Sequence, residues 1–457
     1  MKETPVSPDE TLASMEGVIT DLFYWVSIAL MISIHAGFLA YEMGASRSKN
    51  VLAAAMKNLL TFAVVTATFF FFGWWFYNAF FQFPVGAIDA ATAALPWSDD
   101  MGPNLTSVTG IFWGAFALFA ATTGSILSGA VLERIRTSAF LVLTTVLGSV
   151  VWIIAAAWAW HPNGWLLTEW GWHDFGAAAC VHLVAGAFTL GVLMNLGPRI
   201  GRFVGGQAIT IRPHNLPLTM LGLMLIFIGF FGFLMGCVVY TNTGYLSIFG
   251  NPTTLSAIAF STLMGLAGGI IGAYVSSKGE PFWTISGGLA GVISVAPGMD
   301  LYHPALAFII AAVGGMLIPH FGRMLEKFEI DDVVGAVAVH GGCAFYGLVV
   351  SGFVLWGYPN VPIDGFGTPP EVNPLGQIGG AIVIAVLGFV PGYLLSLGLK
   401  KMNMLRIPAE VELAGLDLSE VPATPYPEGI PITTLKEQDA VLASDDSFDP
   451  TDQEVTV

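Results

Sequence analysis

Two histidines lie inside apolar stretches, where an ionisable side chain is expensive. His182 closes the segment DFGAAACVH at 174–182, and His340 closes the segment DVVGAVAVH at 332–340. Two adjacent imidazoles can share one proton and use their other nitrogens to contact a small polar solute. An ionisable residue inside a membrane helix is by default a candidate functional residue. The alternative is that each histidine separately bonds a backbone carbonyl between helices.

A group of tryptophans beside an acid forms a second candidate site. A few of these rings could attract a small cation through cation–π interaction, and Asp174 could add negative potential to such a vestibule. The alternatives are an interfacial aromatic belt for most of the rings and a helix cap for the acid. The tryptophans are Trp158, Trp160, Trp165, Trp170 and Trp172.

Motifs for other chemistries are absent from the sequence. It contains no Walker A loop, GxSxG elbow, HExxH pair or basic nucleic-acid patch. The three cysteines, Cys180, Cys237 and Cys343, lie in apolar runs without zinc-type spacing. We therefore expect no enzymatic activity, no metal or other cofactor, and no nucleic-acid partner.

The composition is that of a membrane protein with an acidic C-terminus. Of the 457 residues 55% are hydrophobic and only 11% are charged, against about 25% charged in a typical soluble domain. Much of the net charge of −16 comes from residues 407–457, which hold twelve acidic residues and one lysine. We expect this tail to be mostly disordered and to need no partner of its own.

The sequence predicts an all-α polytopic membrane protein with eleven transmembrane helices. Backbone that faces lipid must satisfy its own hydrogen bonds, so each span is predicted to be helical. The eighth run is short and rich in glycine. The apolar runs lie at 19–44, 51–80, 107–132, 138–160, 175–197, 215–241, 253–276, 282–298, 303–322, 333–356 and 376–400.

The basic residues fix the predicted orientation. The second, fourth, sixth, eighth and tenth connections contain no lysine or arginine, and of the 16 basic residues only Lys2 lies on their side. The positive-inside rule then places the N-terminus outside and the C-terminus in the cytoplasm. We divide the chain into an extracytoplasmic segment 1–18, a membrane domain 19–405 and a cytoplasmic acidic tail 406–457. The first run is too long for a signal peptide.

An internal repeat accompanies this topology. Both histidine segments place an aspartate eight residues before a Val-His pair, yet the fifth run begins outside and the tenth begins inside. Two copies that run in opposite directions indicate an inverted repeat of five plus five helices, with one C-terminal helix left over. The pairs Gly268/Gly272 and Gly287/Gly291 predict close helix packing.

Over nearly the whole membrane part, the sequence resembles the ammonium transporters of the Amt/Mep/Rh family, Amt type. The family implies a homotrimer of eleven-helix protomers in the plasma or inner membrane, each with its own pore. The segments that carry the resemblance are GFLAYEMGASRSKNVLAAAMKN, GAVLERIRTSAF, DFGAAACVHLVAG, PHNLPLTMLGLMLIFIGFFGF, GGLAGVISVAPG, VHGGCAFYG and RIPAEVELAGLDLSE.

Family motifs assign roles to individual residues. The resemblance places His182 and His340 on the twin-histidine pair of the pore. It places Phe119 and Phe233 on the stacked aromatics that close the pore from outside. Trp160, with Trp158 as the alternative, aligns with the tryptophan of the external ammonium site.

Asp174 aligns with the family's aspartate near that external site. Three positions depart from the family pattern: Leu234 replaces an asparagine, Cys237 replaces the serine of the external site, and Gly335 replaces an aspartate. A thiol is a weaker hydrogen-bond partner than a hydroxyl.

The predicted function is the recruitment of ammonium at an outer vestibule and the conduction of ammonia through an apolar pore lined by the two histidines. A bare cation would pay an idealised solvation cost on the order of 20 kcal/mol in such a pore, so deprotonation is expected. The alternatives are an ammonium sensor of the same fold and a neutral gas channel of the Rh type. A PII-type regulatory protein is a candidate partner at the cytoplasmic face.

Single-cysteine labelling tests the predicted orientation. A cysteine near Asp99, in the second connection, should react with a membrane-impermeant reagent from outside. One near Arg202, in the fifth connection, should react only from inside, because the basic loops are retained in the cytoplasm. Reversed labelling would contradict both the orientation and the inverted repeat.

Overall fold

The computed structural model describes residues 8–83, 86–98, 108–238, 246–250, 253–361, 370–421 and 423–426. These residues are almost entirely helical, with one small antiparallel hairpin formed by β1 (Phe203–Val204) and β2 (Gln207–Ala208). Asp99 and most of the acidic tail, residues 427–457, lie outside the described residues.

Eleven helices form the body of the part of the chain that the structure describes. They are α1 Pro8–Ala45, α2 Ser48–Ala79, α3 Val108–Ala130, α4 137–160, α5 Ala178–Leu196, α6 Leu216–Gly236, α7 Leu255–Ser277, α8 Pro281–Val295, α9 Pro304–Lys327, α10 Val337–Val354 and α11 Pro374–Lys401. π-Helical turns interrupt four of them, at Phe69–Gly73, Leu147–Val151, Ala178–Leu183 and Val337–Gly342. Shorter helical pieces lie at Ile88–Ala91, Thr92–Ala94, Trp165–Glu169 and Ala296–Gly298, and α12 (Ala409–Ala414) and α13 (Leu416–Glu420) follow the last long helix.

Ten helices of the described chain are long and apolar enough to cross a bilayer. The eighth predicted run is the exception, because α8 has only 15 residues, about 22 Å of helix. Every residue of α8 from Ile285 to Val295 is buried against neighbouring helices. The predicted class, an all-α polytopic membrane protein, is confirmed, while the count of eleven spans stays a prediction.

Large apolar side chains cover the outside of the helix bundle. In water such an apolar surface would cause aggregation. In a bilayer it contacts the apolar lipid tails instead. Examples that are about half or more exposed are Leu22, Leu221, Ile228, Phe260 and Leu394.

Glycines bring the buried helices into backbone contact. A Cβ atom added at Gly37 of α1 would lie 2.6 Å from the carbonyl oxygen of Gly222 in α6. One added at Gly291 of α8 would lie 2.2 Å from the carbonyl oxygen of Gly265 in α7. The close packing predicted for the Gly287/Gly291 pair is therefore confirmed, since helices in a membrane approach best through small residues.

Buried ion pairs tie together the loops of the face predicted to be cytoplasmic. The Asp331 carboxylate lies 2.9 Å from Arg199 Nε and 3.8 Å from Arg134 Nη1. Glu133, before α4, lies 2.6 Å from Arg47 Nη2, before α2. Burial alone would raise the pKa of Asp331, but Arg134 and Arg199 hold it well below its usual range.

The segment after α11 folds back onto these loops. The Asp417 carboxylate accepts hydrogen bonds from the backbone N–H groups of Leu52 (3.1 Å) and Ala53 (2.8 Å), in the first turn of α2. It thereby acts as a cap that comes from a distant part of the chain. Glu412 accepts hydrogen bonds from the backbone of Ile200 (2.7 Å) and from Arg406 (2.7 Å).

The expectation of disorder in the tail 407–457 is therefore wrong for residues 407–421. Acidic composition alone suggested disorder, but these carboxylates meet unpaired backbone donors and cations that other loops present. Leu416 adds an apolar contact with Ala53 and Ile407.

Replacing the distant cap should destabilise the protein. We expect Asp417→Ala to lower the free energy of unfolding by about 1 kcal/mol, the usual cost of losing a helix cap. The check is the midpoint of thermal unfolding of the purified protein in detergent. Glu410→Ala is the matched control, because Glu410 lies on α12 and is exposed. Equal midpoints for the two variants would mean that Asp417 stabilises nothing.

Candidate functional site

The structure brings His182 and His340 into direct contact. Their Nδ1 atoms are 2.9 Å apart, and the ring centroids are separated by 5.1 Å with an interplanar angle of 24°. Both side chains are buried, at 2% and 5% exposure. A bond between the two Nδ1 atoms requires one ring to donate and the other to accept. The pair therefore acts as one hydrogen-bonded unit inside the bundle.

Each histidine lies in a π-helical turn that follows a residue with positive φ. Ala177 has φ 61° before the turn Ala178–Leu183, and Gly335 has φ 68° before the turn Val337–Gly342. A glycine adopts this conformation freely, whereas alanine pays roughly 1–2 kcal/mol. Gly335, where the family pattern has aspartate, thus occupies the position equivalent to Ala177 in the other half of the repeat.

Aspartates cap both turns in the same way. Asp174 Oδ2 accepts a hydrogen bond from the backbone of Ala179 (2.9 Å). Asp332 accepts hydrogen bonds from the backbone of Ala336 (2.9 Å) and Val337 (2.7 Å). Each aspartate is the residue eight positions before a histidine, so the predicted repeat extends to the local geometry of the turns.

The two histidine helices are antiparallel and touch at glycine. A Cβ atom at Gly186 would lie 2.4 Å from the backbone nitrogen of Gly341, which explains how the imidazoles can meet. Gln377 links the loop before α5 to the end of α10, since it bonds both the His173 backbone and Ser351. This is the arrangement that an inverted repeat requires.

A column of aromatic rings continues from the histidine pair. The Phe233 ring lies 5.8 Å from the His182 ring, and Phe119 lies 4.6 Å from Phe233 at an angle of 80°. The two phenylalanines therefore meet edge to face rather than in a parallel stack. Trp160 completes the column, 5.6 Å from Phe119.

The Trp160 ring is held in place by the loop that precedes α5. Its Nε1 donates a hydrogen bond of 2.6 Å to the carbonyl oxygen of Asp174. At the end of α6, the Cys237 thiol points back to the Phe233 carbonyl at 3.4 Å. Leu234 is buried and packs beside Gly176.

The remaining tryptophans do not form a uniform interfacial belt. Trp172 is fully buried, so the belt assignment is wrong for this residue. Trp165 packs against Trp158 (5.5 Å) and Trp170 (5.2 Å) and makes a separate cluster. Trp160 is the member of the group that contacts Phe119, which favours it over Trp158 for the external site.

Two buried carboxyl groups, one before each histidine turn, have pKa values above their usual range. Burial raises the pKa of Asp174 to about 6, although its backbone donors act in the opposite direction. Burial likewise raises the pKa of Asp332 to about 6. Beside Asp174, burial would lower the pKa of His173, but Asp300, 3.0 Å away, raises it.

The sequence did not reveal the residues that hold the loop before α5 in place. His173 precedes Asp174 directly, and Asn360 and Gln377 bond the same loop. Their contacts join positions far apart in the chain, so spacing gives no signal for them. Glu42, an acid within the first apolar run, could have been noticed. The described residues contain no cluster of side chains that could hold a metal ion.

Residues 22–426 match the model of the Ammonium Transporter Family. The chain belongs to this family. It is 31% identical over 419 residues to Ammonium transporter Amt1 of Methanocaldococcus jannaschii, with 91% of this chain and 98% of the relative covered. A solved structure titled Sensor Amt Protein is 26% identical, with a TM-score of 0.75 and coverage of 88% and 98%. The crystal structure of Candida albicans Mep2 shares the fold at 20% identity, with a TM-score of 0.69 and coverage of 86% of each chain.

Membership of the Ammonium Transporter Family confirms the predicted resemblance. The protein is a multi-pass membrane protein of a transport family rather than an enzyme, as predicted. The roles of the individual pore residues stay predictions.

Substitution of the two histidines should show strong coupling. We expect His182→Ala and His340→Ala each to alter transport, and the double variant to be little worse than the more damaging single one, because residues of one hydrogen-bonded unit are not additive. The measurement is ammonium uptake, methylammonium uptake and potassium current at matched amounts of membrane protein. If the losses of transport are additive and parallel the losses of thermal stability, the histidines have only a structural role between helices.

Proposed function

We propose that this protein moves ammonium across the membrane by conducting ammonia through the column of Trp160, Phe119, Phe233 and the histidine pair. The observation that carries the proposal is the 2.9 Å contact between the two Nδ1 atoms at the end of that column. It places a polar contact in an apolar path without a fixed charge. The proposed site consists of these five residues together with Asp174 and Cys237.

Ammonium is first held at the outer end of the column. The fixed ring of Trp160 offers its face to a cation, and such contacts contribute roughly 0.5–2 kcal/mol. The carboxyl group of Asp174, the residue whose backbone carbonyl holds the Trp160 ring, adds negative potential at this end. Cys237, at the end of α6 beside the column, is the remaining contact and a weak one.

The cation gives a proton to water at the outer end before it enters the column: an N–H bond of ammonium breaks, an O–H bond of hydronium forms, and the histidine pair then takes that proton up from water. An idealised cost on the order of 20 kcal/mol keeps a bare ion out, whereas neutral ammonia has no such cost. Ammonia then passes Phe119 and Phe233 and exchanges hydrogen bonds with His182 and His340. One ring nitrogen of each histidine is engaged with the other ring, so each retains one nitrogen for the passing molecule.

The orientation of the protein in the membrane is proposed from the charges of its loops. The alternation of basic loops supports an extracytoplasmic segment 1–18 and a cytoplasmic tail 406–457 around the membrane domain 19–405. We place the protein in the plasma or inner membrane as a homotrimer. A PII-type regulator is the partner we propose for the inner face.

A sensor of the same fold is the second candidate. The 26% identity to the structure titled Sensor Amt Protein favours it, as do the contacts of the tail with the inner loops. A neutral gas channel of the Rh type fits less well, because Trp160 provides a cation site. Ammonium uptake and current in proteoliposomes distinguish the three: the transporter gives uptake, the sensor gives little, and the gas channel gives flux without a dependence on Trp160.

Replacement of the outer ring tests the recruitment step. We expect Trp160→Leu to weaken the apparent affinity for ammonium by about two- to thirty-fold, the change that corresponds to the lost cation–π contact. Trp165→Leu is the matched control, because Trp165 packs against Trp158 and Trp170. The check is the concentration dependence of uptake. An unchanged dependence in Trp160→Leu would remove it from the ammonium site.

A further inference from the structure

Glu42, near the end of α1, is a fully buried acid. Its Oε2 accepts a hydrogen bond of 2.8 Å from Asn58 of α2, and its Oε1 accepts one from Ser128 of α3. Both partners are neutral, unlike the arginines that balance Glu133 and Asp331. A carboxylate in this position is expensive unless it binds a proton or a cation.

The nearby lysine forms its ion pair with an acid other than Glu42. Lys57 precedes Asn58 on α2, but its ammonium group is paired with Glu420 of α13 at 3.3 Å. The other titratable groups around Glu42 are Tyr41 on the same helix, His340 on α10 and Asp332 before α10. Asp332 is engaged in capping its own turn.

A narrow cavity separates Glu42 from the histidine pair. Its polar lining consists of Tyr41, Glu42, Ser286 and His340, and it has room for about one molecule the size of water or ammonia. Gly129 keeps it open, since a Cβ atom there would lie 2.5 Å from a methyl group of Val334 and 3.2 Å from Glu42 Oε1. The cavity therefore continues the column beyond His340 and leads to an acid.

We propose that Glu42 is the proton-transfer residue at the inner end of the pore. The inference rests on the proposed function, and it adds the group that returns the proton to ammonia. In the first step protonated His340 gives a proton, through the molecule in the cavity, to the Glu42 carboxylate: an N–H bond breaks, an O–H bond forms, and the imidazole becomes neutral. In the second step ammonia in the cavity takes that proton, so the O–H bond breaks and ammonium leaves beside an ionised Glu42.

A purely structural role makes a different prediction. If Glu42 only joins α1, α2 and α3, any loss of its hydrogen bonds lowers the stability of the protein and reduces every transport reading alike. A proton-transfer role needs an ionisable group, so it distinguishes an amide from an acid of similar size. Glu42→Gln, Glu42→Asp and Ser128→Ala separate these cases, because Ser128→Ala removes a hydrogen bond and keeps the acid.

The experiment measures two quantities in proteoliposomes: the ammonium-induced current and the uncharged flux of ammonia down its own gradient. For Glu42→Gln we expect the current to fall about tenfold or more and the ammonia flux to stay within about twofold of the unaltered protein. Glu42→Asp and Ser128→Ala should keep most of the current. Current and flux that fall together in Glu42→Gln and Ser128→Ala would overturn the proposal in favour of a structural role.

Two further outcomes separate this inference from the proposed function. An unaltered protein with ammonia flux and no current would overturn proton transfer by Glu42 while the transport function stands. An unaltered protein without uptake of either kind would overturn the transport function itself. Full current in Glu42→Gln would mean that the proton leaves the histidine pair by another route.

Discussion

The hydrogen bond between the Nδ1 atoms of His182 and His340 constrains the rest of the structure. In the neutral pair one ring donates from Nδ1 and therefore has an acceptor at Nε2, while the other accepts at Nδ1 and has a donor at Nε2. The pair thus offers one donor and one acceptor, and transfer of the shared proton between the rings exchanges them. Ammonia both donates and accepts hydrogen bonds, so it can bind to the pair whichever ring carries the shared proton.

The fold satisfies this constraint from both sides of the membrane. Two antiparallel helices must cross closely enough for their imidazoles to touch, and contact between Gly186 and Gly341 permits it. Each helix must also turn its histidine toward the crossing, and the π-helical turns after Ala177 and Gly335 do this. Positive φ and a widened turn leave backbone N–H groups exposed, and the aspartates eight residues before each histidine bond them.

The parts of the fold that depend on the spacing of residues along the chain could be predicted from the sequence. Two aspartates at the same distance from two histidines, together with alternating basic loops, predicted the inverted repeat and the meeting of the histidines. Tertiary contacts decided the rest. The burial of Trp172 and the folding of 407–421 against other loops depend on partners that are distant in the chain, which composition cannot reveal. Glu42, like the two histidines, is an ionisable residue in an apolar run, and the sequence shows this. Its partners Asn58 and Ser128 come from other helices, so the sequence does not show its contacts.

The distribution of charge along the column explains why its middle is built from neutral rings. A fixed charge beside the path would hold ammonium by several kcal/mol in a medium of low dielectric constant, and slow release would follow. Carboxyl groups are instead found near the two ends: Asp174, whose backbone carbonyl accepts a hydrogen bond from the outer tryptophan, and Glu42, across the cavity beyond His340. Between them the histidine pair gives polarity without permanent charge, because its proton can be gained, shared or lost. In the mechanism we propose, ammonium loses a proton at one end of this path and ammonia regains one at the other.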